Sequence, residues 1–130
     1  MHRQGQSGFT LIELMVAVAI LAILAAIVWP GYQQHVIRGQ RAAAQAQMLD
    51  LASRQQQFLL ANRSYASQSQ LEAAGYALPA EVAARYAYEI ELGSAGGYLI
   101  RFVPLSGSTQ ANDGTLTLDH LGNRGPSGKW

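Results

Sequence analysis

The chain has 130 residues, a formal net charge of +1 and no cysteine. Its length allows one small domain, and the absence of cysteine excludes a disulfide framework and thiol chemistry. Because nine basic residues stand against eight acidic ones, the composition does not indicate a strongly basic nucleic-acid-binding protein.

The N-terminal region combines a polar leader with an apolar run. Residues 1–8 are rich in Gln and Gly and include Arg3. The uncharged run from Leu14 to Trp29 would form a helix about 24 Å long, and residues 9–12 extend it to roughly the thickness of the bilayer hydrocarbon. We therefore predict a transmembrane helix over residues 9–30. Arg3 agrees with a cytoplasmic N-terminus.

Glu13 is a carboxylate within this apolar segment. Such a group costs about 2.5 to 3.5 kcal/mol on membrane-insertion scales, which makes it a functional candidate. Phe9 lies four residues earlier on the same helix face. If the chain is cut after Gly8, the new ammonium of Phe9 lies beside the carboxylate, and either group could pair with its counterpart on a neighbouring subunit. The alternative is a capping box, because Thr10 to Glu13 fits Ser/Thr-x-x-Glu.

The heptapeptide Gly8-Phe9-Thr10-Leu11-Ile12-Glu13-Leu14 resembles the prepilin signature of type IV pilins and type II secretion pseudopilins, and the likeness extends as far as Pro30-Gly31. The resemblance implies cleavage between Gly8 and Phe9 by a prepilin peptidase and N-methylation of Phe9. It implies a single-pass protein of the bacterial inner membrane with a periplasmic C-terminal domain. It also implies that the pilus assembly machinery builds the subunit into an extracellular helical filament with other major and minor pilins, where Glu13 neutralises the Phe9 amine of an adjacent subunit.

Pro30 and Gly31 interrupt the helical pattern. Pro30 lacks a backbone donor and clashes with the preceding turn, so a kink or a locally melted turn is predicted there. The resemblance implies that this region loosens on assembly. Residues 31–61 are predicted to continue as an amphipathic helix whose apolar stripe consists of Ile37, Ala44, Met48, Leu51 and Phe58. Just beyond the membrane end, Arg38 and Arg41 could meet lipid phosphates or acidic residues of another subunit, or be solvated.

Residues 62–130 are predicted to form the periplasmic or extracellular globular domain. A loop region with a helical turn at residues 70–74 comes first, and the tail from residue 121 allows only a short edge piece. Alternation and turn signals predict strands at Tyr86–Leu92, Tyr98–Val103 and Thr115–Leu118. The predicted fold is therefore α+β, a type IV pilin fold with one long N-terminal helix. Its first half spans the membrane and its second half packs on an antiparallel sheet of three or four strands.

The segment from Gly114 to Gly125 is similar to the C-terminal segment of minor pilins of the PilE type, a group related to the DNA-uptake receptor ComP. Members of that group usually carry one cysteine before this segment and another near the C-terminus, which close a loop. This chain has neither. The difference puts loop shape and ligand binding through that loop in doubt, and Trp130 tucking under the sheet is one way to hold the end.

The sequence contains no recognisable catalytic or metal-binding set. Its three histidines lack metal-ligand spacing, and Asp119-His120 fits a turn at a strand end. A calcium site at Asn112, Asp113 and Asp119 would need a spaced ligand set that is missing. We expect no enzyme, no cofactor and no metal site.

Two functions remain. The first is a minor pilin that copolymerises in a type IV pilus or primes its assembly, supporting twitching motility and surface attachment. The second is a pilin that captures DNA during uptake, with phosphate contacts and stacking by Arg85, Arg101, Arg124, Lys129 and Trp130. The balanced charge argues against DNA. A pseudopilin of type II secretion is the rival within the structural class.

Overall fold

A computed structural model describes Gly5 and residues 7–130 of the chain. Most of the predicted leader, including His2 and Arg3, lies outside the described residues. The chain divides into two compact units, residues 1–36 and residues 37–130. Helix α1, Leu11–Asn62, contributes its first part to one unit and its second part to the other.

The first unit contains the apolar part of α1. Its large side chains are uncovered, as the exposed fractions of 77% for Leu11 and 70% for Ile27 show. Among the described residues, α1 is the one helix long and apolar enough to cross a membrane. Since these large apolar side chains stay exposed in the part of the chain that the structure describes, the segment requires an apolar environment from outside.

Helical geometry continues through Pro30 and Gly31, so the structure does not contain the locally melted turn that the sequence suggested. Pro30 has no N–H, which leaves the carbonyl of Ala26 without its usual donor four residues ahead. The kink and the loosening on assembly stay predictions.

The second unit places one antiparallel sheet against the second part of α1. Two short helices, α2 at Gln68–Ala73 and α3 at Ala80–Ala83, connect α1 to the sheet. The strands lie in the spatial order β1-β2-β3-β4 and comprise Tyr86–Leu92, Tyr98–Pro104, Leu116–Asp119 and Arg124–Gly125. The predicted hairpin, the third strand and the short edge piece are confirmed, with β3 shifted by one residue. Helix α3 was not predicted.

The core of the second unit confirms the amphipathic stripe. Ala44, Met48 and Leu51 are fully buried, and Ile37 and Phe58 are partly buried. They meet the inner face of the sheet, where alternate residues of β2 and β3 are buried with Tyr86 of β1: Ile100, Phe102, Leu116 and Leu118. The α+β class with a helix packed on a four-stranded sheet is therefore confirmed.

Candidate functional site

The predicted processing point is open to solvent. Gly8 and Phe9 are exposed and precede the first turn of α1, and the Phe9 side chain is 83% exposed. A peptide bond outside regular structure can enter a protease cleft without prior unfolding of a helix. The geometry at this point is compatible with cleavage between the two residues.

Glu13 forms the capping box that the sequence offered as an alternative. The backbone N–H of Thr10 donates to Glu13 Oε2 at 3.1 Å, and the backbone N–H of Glu13 donates to Thr10 Oγ1 at 3.3 Å. Glu13 also lines a shallow groove whose other walls are small and aliphatic side chains: Ile12, Val16, Ala17 and Ile20. Since a carboxylate can accept several hydrogen bonds, the capping role is compatible with pairing to an amine of another chain.

The five candidate DNA contacts fall into separate places. Arg85 donates to the carbonyl of Glu81 at 2.9 Å beside α3. Arg101 lies on β2 and pairs with Glu91 and, at 3.6 Å, with Glu89. Arg124 and Trp130 contact each other in the C-terminal tail, whereas Lys129 pairs with Asp113.

The outer face of the sheet is acidic. Ile100 and Phe102 point into the core, so Leu99 and Arg101 point outward. The cross-strand register places outward carboxylates beside them, which belong to Glu89, Glu91 and Asp119. Glu89 and Glu91 pair with Arg101, and Asp119 lies opposite Leu99. The three carboxylates outnumber the single arginine, so this face does not fit DNA.

In the tail, Arg124 and Trp130 stack on each other. The guanidinium carbon of Arg124 lies 5.0 Å from the Trp130 ring centroid, a cation–π contact. Trp130 packs against the hydrophobic core and donates from Nε1 to the carbonyl of Gly125 at 3.0 Å. The suggestion that Trp130 holds the chain end is therefore supported, and its contact with the core limits the ring area left for stacking on a base.

Asp113 is the centre of a partly buried ion cluster. Arg41 Nε donates to Asp113 Oδ2 at 2.6 Å, Arg41 Nη2 contacts Oδ1, and Lys129 Nζ lies 3.1 Å from Oδ1. The hydrogen bond from Arg41 is the main reason that the pKa of Asp113 lies below its usual value. Burial opposes the shift, and the bond from Lys129 adds to it. Arg41 thus pairs within its own chain and is mostly buried, so it is not the solvated arginine that was one of the two alternatives. Contact with lipid or another subunit stays a prediction.

The same contacts do not favour the calcium alternative. Both Asp113 oxygens engage cationic side chains. Asp119 Oδ1 accepts the backbone N–H groups of Leu121 and Asn123 at 3.0 and 2.8 Å, which confirms the turn at the end of β3. Within the part of the chain that the structure describes, no group of three or more His, Cys, Asp or Glu side chains is arranged to hold a metal ion.

Two buried glutamines escaped the sequence analysis. Gln55 exchanges two hydrogen bonds of 2.8 Å with the backbone of Ala66. Gln110 donates to Tyr86 Oη at 2.8 Å and to the carbonyl of Ile37 at 3.2 Å. Gln55 lies four residues after Leu51, so its position on the apolar stripe could have indicated that it is buried. Gln110 lies in a polar loop, where no pattern in the sequence indicates burial.

Two family profiles match the chain. Residues 30–117 match the profile described as type IV minor pilin ComP, DNA uptake sequence receptor. Residues 3–29 match the prokaryotic N-terminal methylation motif.

Similar curated proteins are fimbrial. The fimbrial protein EcpC of Eikenella corrodens is 57% identical over 44 residues, which are 34% of this chain and 29% of that protein. A fimbrial protein of Pseudomonas aeruginosa is 50% identical over 52 residues, or 38% and 34% of the two chains. The type IV major fimbrial protein FimA of Dichelobacter nodosus is 63% identical over 35 residues, or 27% and 22%. The similarity thus spans about a third or less of each relative's length.

The two profiles adjoin, one on the apolar helix and the other on most of the second unit. The ComP profile covers well over half of the chain. The methylation motif covers the segment that contains Gly8, Phe9 and Glu13. The chain therefore belongs to the type IV minor pilin family described as ComP, DNA uptake sequence receptor, and it carries the N-terminal methylation motif of pilins.

Proposed function

We propose that the chain is a minor pilin subunit that copolymerises in a type IV pilus, or primes its assembly, and thereby supports twitching motility and surface attachment. The observation that carries this proposal is the uncovered apolar part of α1 directly behind the exposed Gly8-Phe9 bond. A helix with that surface can be covered by lipid and then by the helices of other subunits. The role is structural and includes no catalytic step.

The proposed life cycle divides the chain into four parts. Residues 1–8 are the leader that a prepilin peptidase removes, after which Phe9 is N-methylated. Residues 9–30 hold the subunit in the inner membrane, and residues 31–61 continue as the amphipathic helix. Residues 62–130 form the domain that lies first in the periplasm and then outside the cell. Other pilins and the pilus assembly machinery are the partners.

Mass spectrometry of the N-terminal peptide tests the processing. Filaments sheared from the cell surface are compared with the membrane pellet. A methylated peptide that begins at Phe9 in the sheared fraction is the expected result. The same peptide found only in membranes would favour a base-retained subunit, and an intact Gly8-Phe9 bond in both fractions would contradict the proposal.

Glu13 is proposed to neutralise the Phe9 amine of an adjacent subunit. Glu13→Gln separates this role from capping, because glutamine can also accept the Thr10 N–H in a capping box but carries no charge. We expect Glu13→Gln and Glu13→Val to lower incorporation into filaments alike, whereas Glu13→Asp retains a charge and is less affected. If Glu13→Gln assembles like the wild type, the carboxylate serves only the cap.

DNA capture is the second candidate function, and the description of the family profile is the observation that favours it. Within the second unit, the Arg124–Trp130 stack is the site whose chemistry suits a nucleic acid. Arg101 and Lys129 are each paired with a carboxylate, which weakens the original five-residue hypothesis.

Gel retardation of the processed chain in detergent, over a series of salt concentrations, tests DNA capture. Phosphate-driven binding weakens steeply with salt. If the chain captures DNA, Arg124→Gln should weaken retardation, whereas Arg54→Gln, which removes a charge from α1, should not. Absence of retardation at low salt would exclude this function.

A deletion strain separates a pilus subunit from a secretion pseudopilin. The proposal expects loss of twitching or of surface pili with normal secretion. A secretion defect with normal pili would assign the chain to type II secretion instead.

A further inference from the structure

The C-terminal segment has little regular structure of its own. After β3 the chain forms only the two-residue strand β4 and ends in the sequence Pro126 to Trp130. A strand this short contributes few ladder hydrogen bonds, and the chain has no cysteine with which to fasten the segment. Other contacts must therefore hold it.

Asp113 lies just before β3, and Lys129 lies near the end of the C-terminal segment. Their side chains meet at 3.1 Å, so they close the intervening residues into a loop. The Asp113 side chain is only 5% exposed, whereas Lys129 is 34% exposed. A carboxylate that buried requires pairing, and both of its oxygens are engaged.

Helix α1 supplies the fixed side of the same cluster. Arg41 binds both oxygens of Asp113, and its own side chain is 16% exposed. One turn further along α1, Gln45 Nε2 donates to the backbone carbonyl of Lys129 at 2.6 Å. The helix therefore contacts both ends of the loop, and Trp130 packs on the core beside them.

We propose that Arg41, Asp113 and Lys129 form an ionic clasp that docks the C-terminal segment on α1. The clasp joins the two ends of residues 114–128, which include β3 and β4, through electrostatic contacts in place of a covalent cross-link. A disulfide in this position would respond to thiol reductants. The clasp instead responds to removal of charge, since each of its bonds joins ionised groups.

Lys129→Gln is the cleanest way to open the clasp. It removes the half-exposed cation and leaves Arg41 bound to Asp113, so no buried charge loses its partner. Asp113→Asn would leave the Arg41 guanidinium without its carboxylate and risks unfolding of the domain. Gln45→Ala is a second variant, because it removes only the hydrogen bond to the Lys129 carbonyl.

Hydrogen exchange of the full processed chain in detergent micelles, followed by mass spectrometry, measures the opening. For Lys129→Gln we expect exchange over residues 119–130 to quicken about tenfold, in keeping with the loss of a charged hydrogen bond. Gln45→Ala should quicken the same residues by a smaller factor. Peptides from β1 and β2 should be unchanged in both variants. The matched control is Arg38→Gln, which removes one positive charge from an exposed position of α1.

The proposal is overturned if Lys129→Gln and Gln45→Ala both exchange like Arg38→Gln. It is equally overturned if the increase spreads evenly over β1 and β2, because the contacts would then stabilise the whole domain and not the loop. Should Lys129→Gln fail to fold, Gln45→Ala decides by the same criteria.

Discussion

Gln55 is a fully buried polar side chain. It provides the hydrogen bonds that the backbone of Ala66, which lies outside helices and strands, would otherwise lack. Both backbone groups of Ala66 are bonded to the amide of Gln55. A side chain that satisfies both groups fixes the chain beyond the end of α1 against the helix. We expect Gln55→Leu to lower the free energy of unfolding by about 2 to 4 kcal/mol, because it leaves a buried donor and a buried acceptor unpaired. Chemical denaturation measures the loss.

Gln57→Leu is the control for this change. Gln57 is exposed two residues along the same helix, so its replacement should alter stability by less than about 0.5 kcal/mol. Equal effects of the two substitutions would show that the Ala66 backbone finds other partners.

Gly97 lies against the ring of His120. A Cβ at this position would fall inside contact distance of the His120 ring, with Nδ1 at 2.5 Å. We expect Gly97→Ala to displace the exposed His120 ring and to cost about 1 kcal/mol or less. The cost should shrink when His120→Ala is present, as a double-mutant cycle by denaturation would measure. Gly93→Ala in the same turn is the control, because its Cβ would meet only ordinary contacts from 3.6 Å.

Pro30 determines the local stability of α1. Pro30→Ala would supply the N–H that the Ala26 carbonyl lacks and remove a residue about 3 kcal/mol less favourable than alanine in a helix interior. We expect slower amide exchange of the residues on either side of position 30 in detergent micelles. If assembly requires this turn to loosen, filament incorporation should fall at the same time.

Gly39→Ala is the matched control for Pro30→Ala. A Cβ at Gly39 would have nothing within 4 Å, so the change favours the helix by about 1 kcal/mol without adding a hydrogen bond. Normal assembly of Pro30→Ala together with slowed exchange would argue against a required loosening.

The elements were predictable where one local signal was sufficient. Apolar composition indicated the first part of α1, and alternation on both sides of a glycine-rich turn indicated β1 and β2 with nearly their observed bounds. Helix α3 is four residues long and is introduced by Pro79, which is too short for a periodic pattern. β3 ends one residue later than predicted because Asp119 still pairs with Leu99 of β2. Its side chain, a turn signal in sequence, accepts backbone hydrogen bonds only from residues after the strand.

The contacts of the candidate site were less predictable than the elements. Arg41 and Asp113 are 72 residues apart in sequence, and no pattern in either segment indicates the other. Their pairing arises when the sheet packs on α1. The processing motif, by contrast, is contiguous in sequence and could be read directly.

The buried tyrosines make the stability of the second unit decrease at alkaline pH. Burial is the main reason that the pKa values of Tyr76, Tyr86, Tyr88 and Tyr98 are raised, to about 12 for Tyr76, from the ordinary value of 10.0. Since the folded domain favours the neutral phenols, their contribution to stability is complete below pH 10.0 and declines as pH rises towards the folded-state values.

We therefore expect the second unit to unfold as pH rises above the ordinary tyrosine pKa, with tyrosinate absorbance and loss of circular dichroism in one transition. Tyr88→Phe removes one ionisable ring. When the free energy of unfolding of each protein is expressed relative to its own value near neutral pH, the variant should therefore lose less stability at high pH than the wild type. Titration of the tyrosines near their ordinary pKa in a domain that stays folded would contradict this expectation.

The uncovered apolar part of α1 constrains the route that the subunit can take. Fully covering its dozen large aliphatic side chains is worth on the order of 20 kcal/mol, so a subunit free in water would be rare and short-lived. If the chain is a pilus subunit as proposed, it must pass directly from lipid to filament, with no aqueous pool of monomers between them. The supply of subunits to the fibre would then depend on their density and diffusion within the membrane.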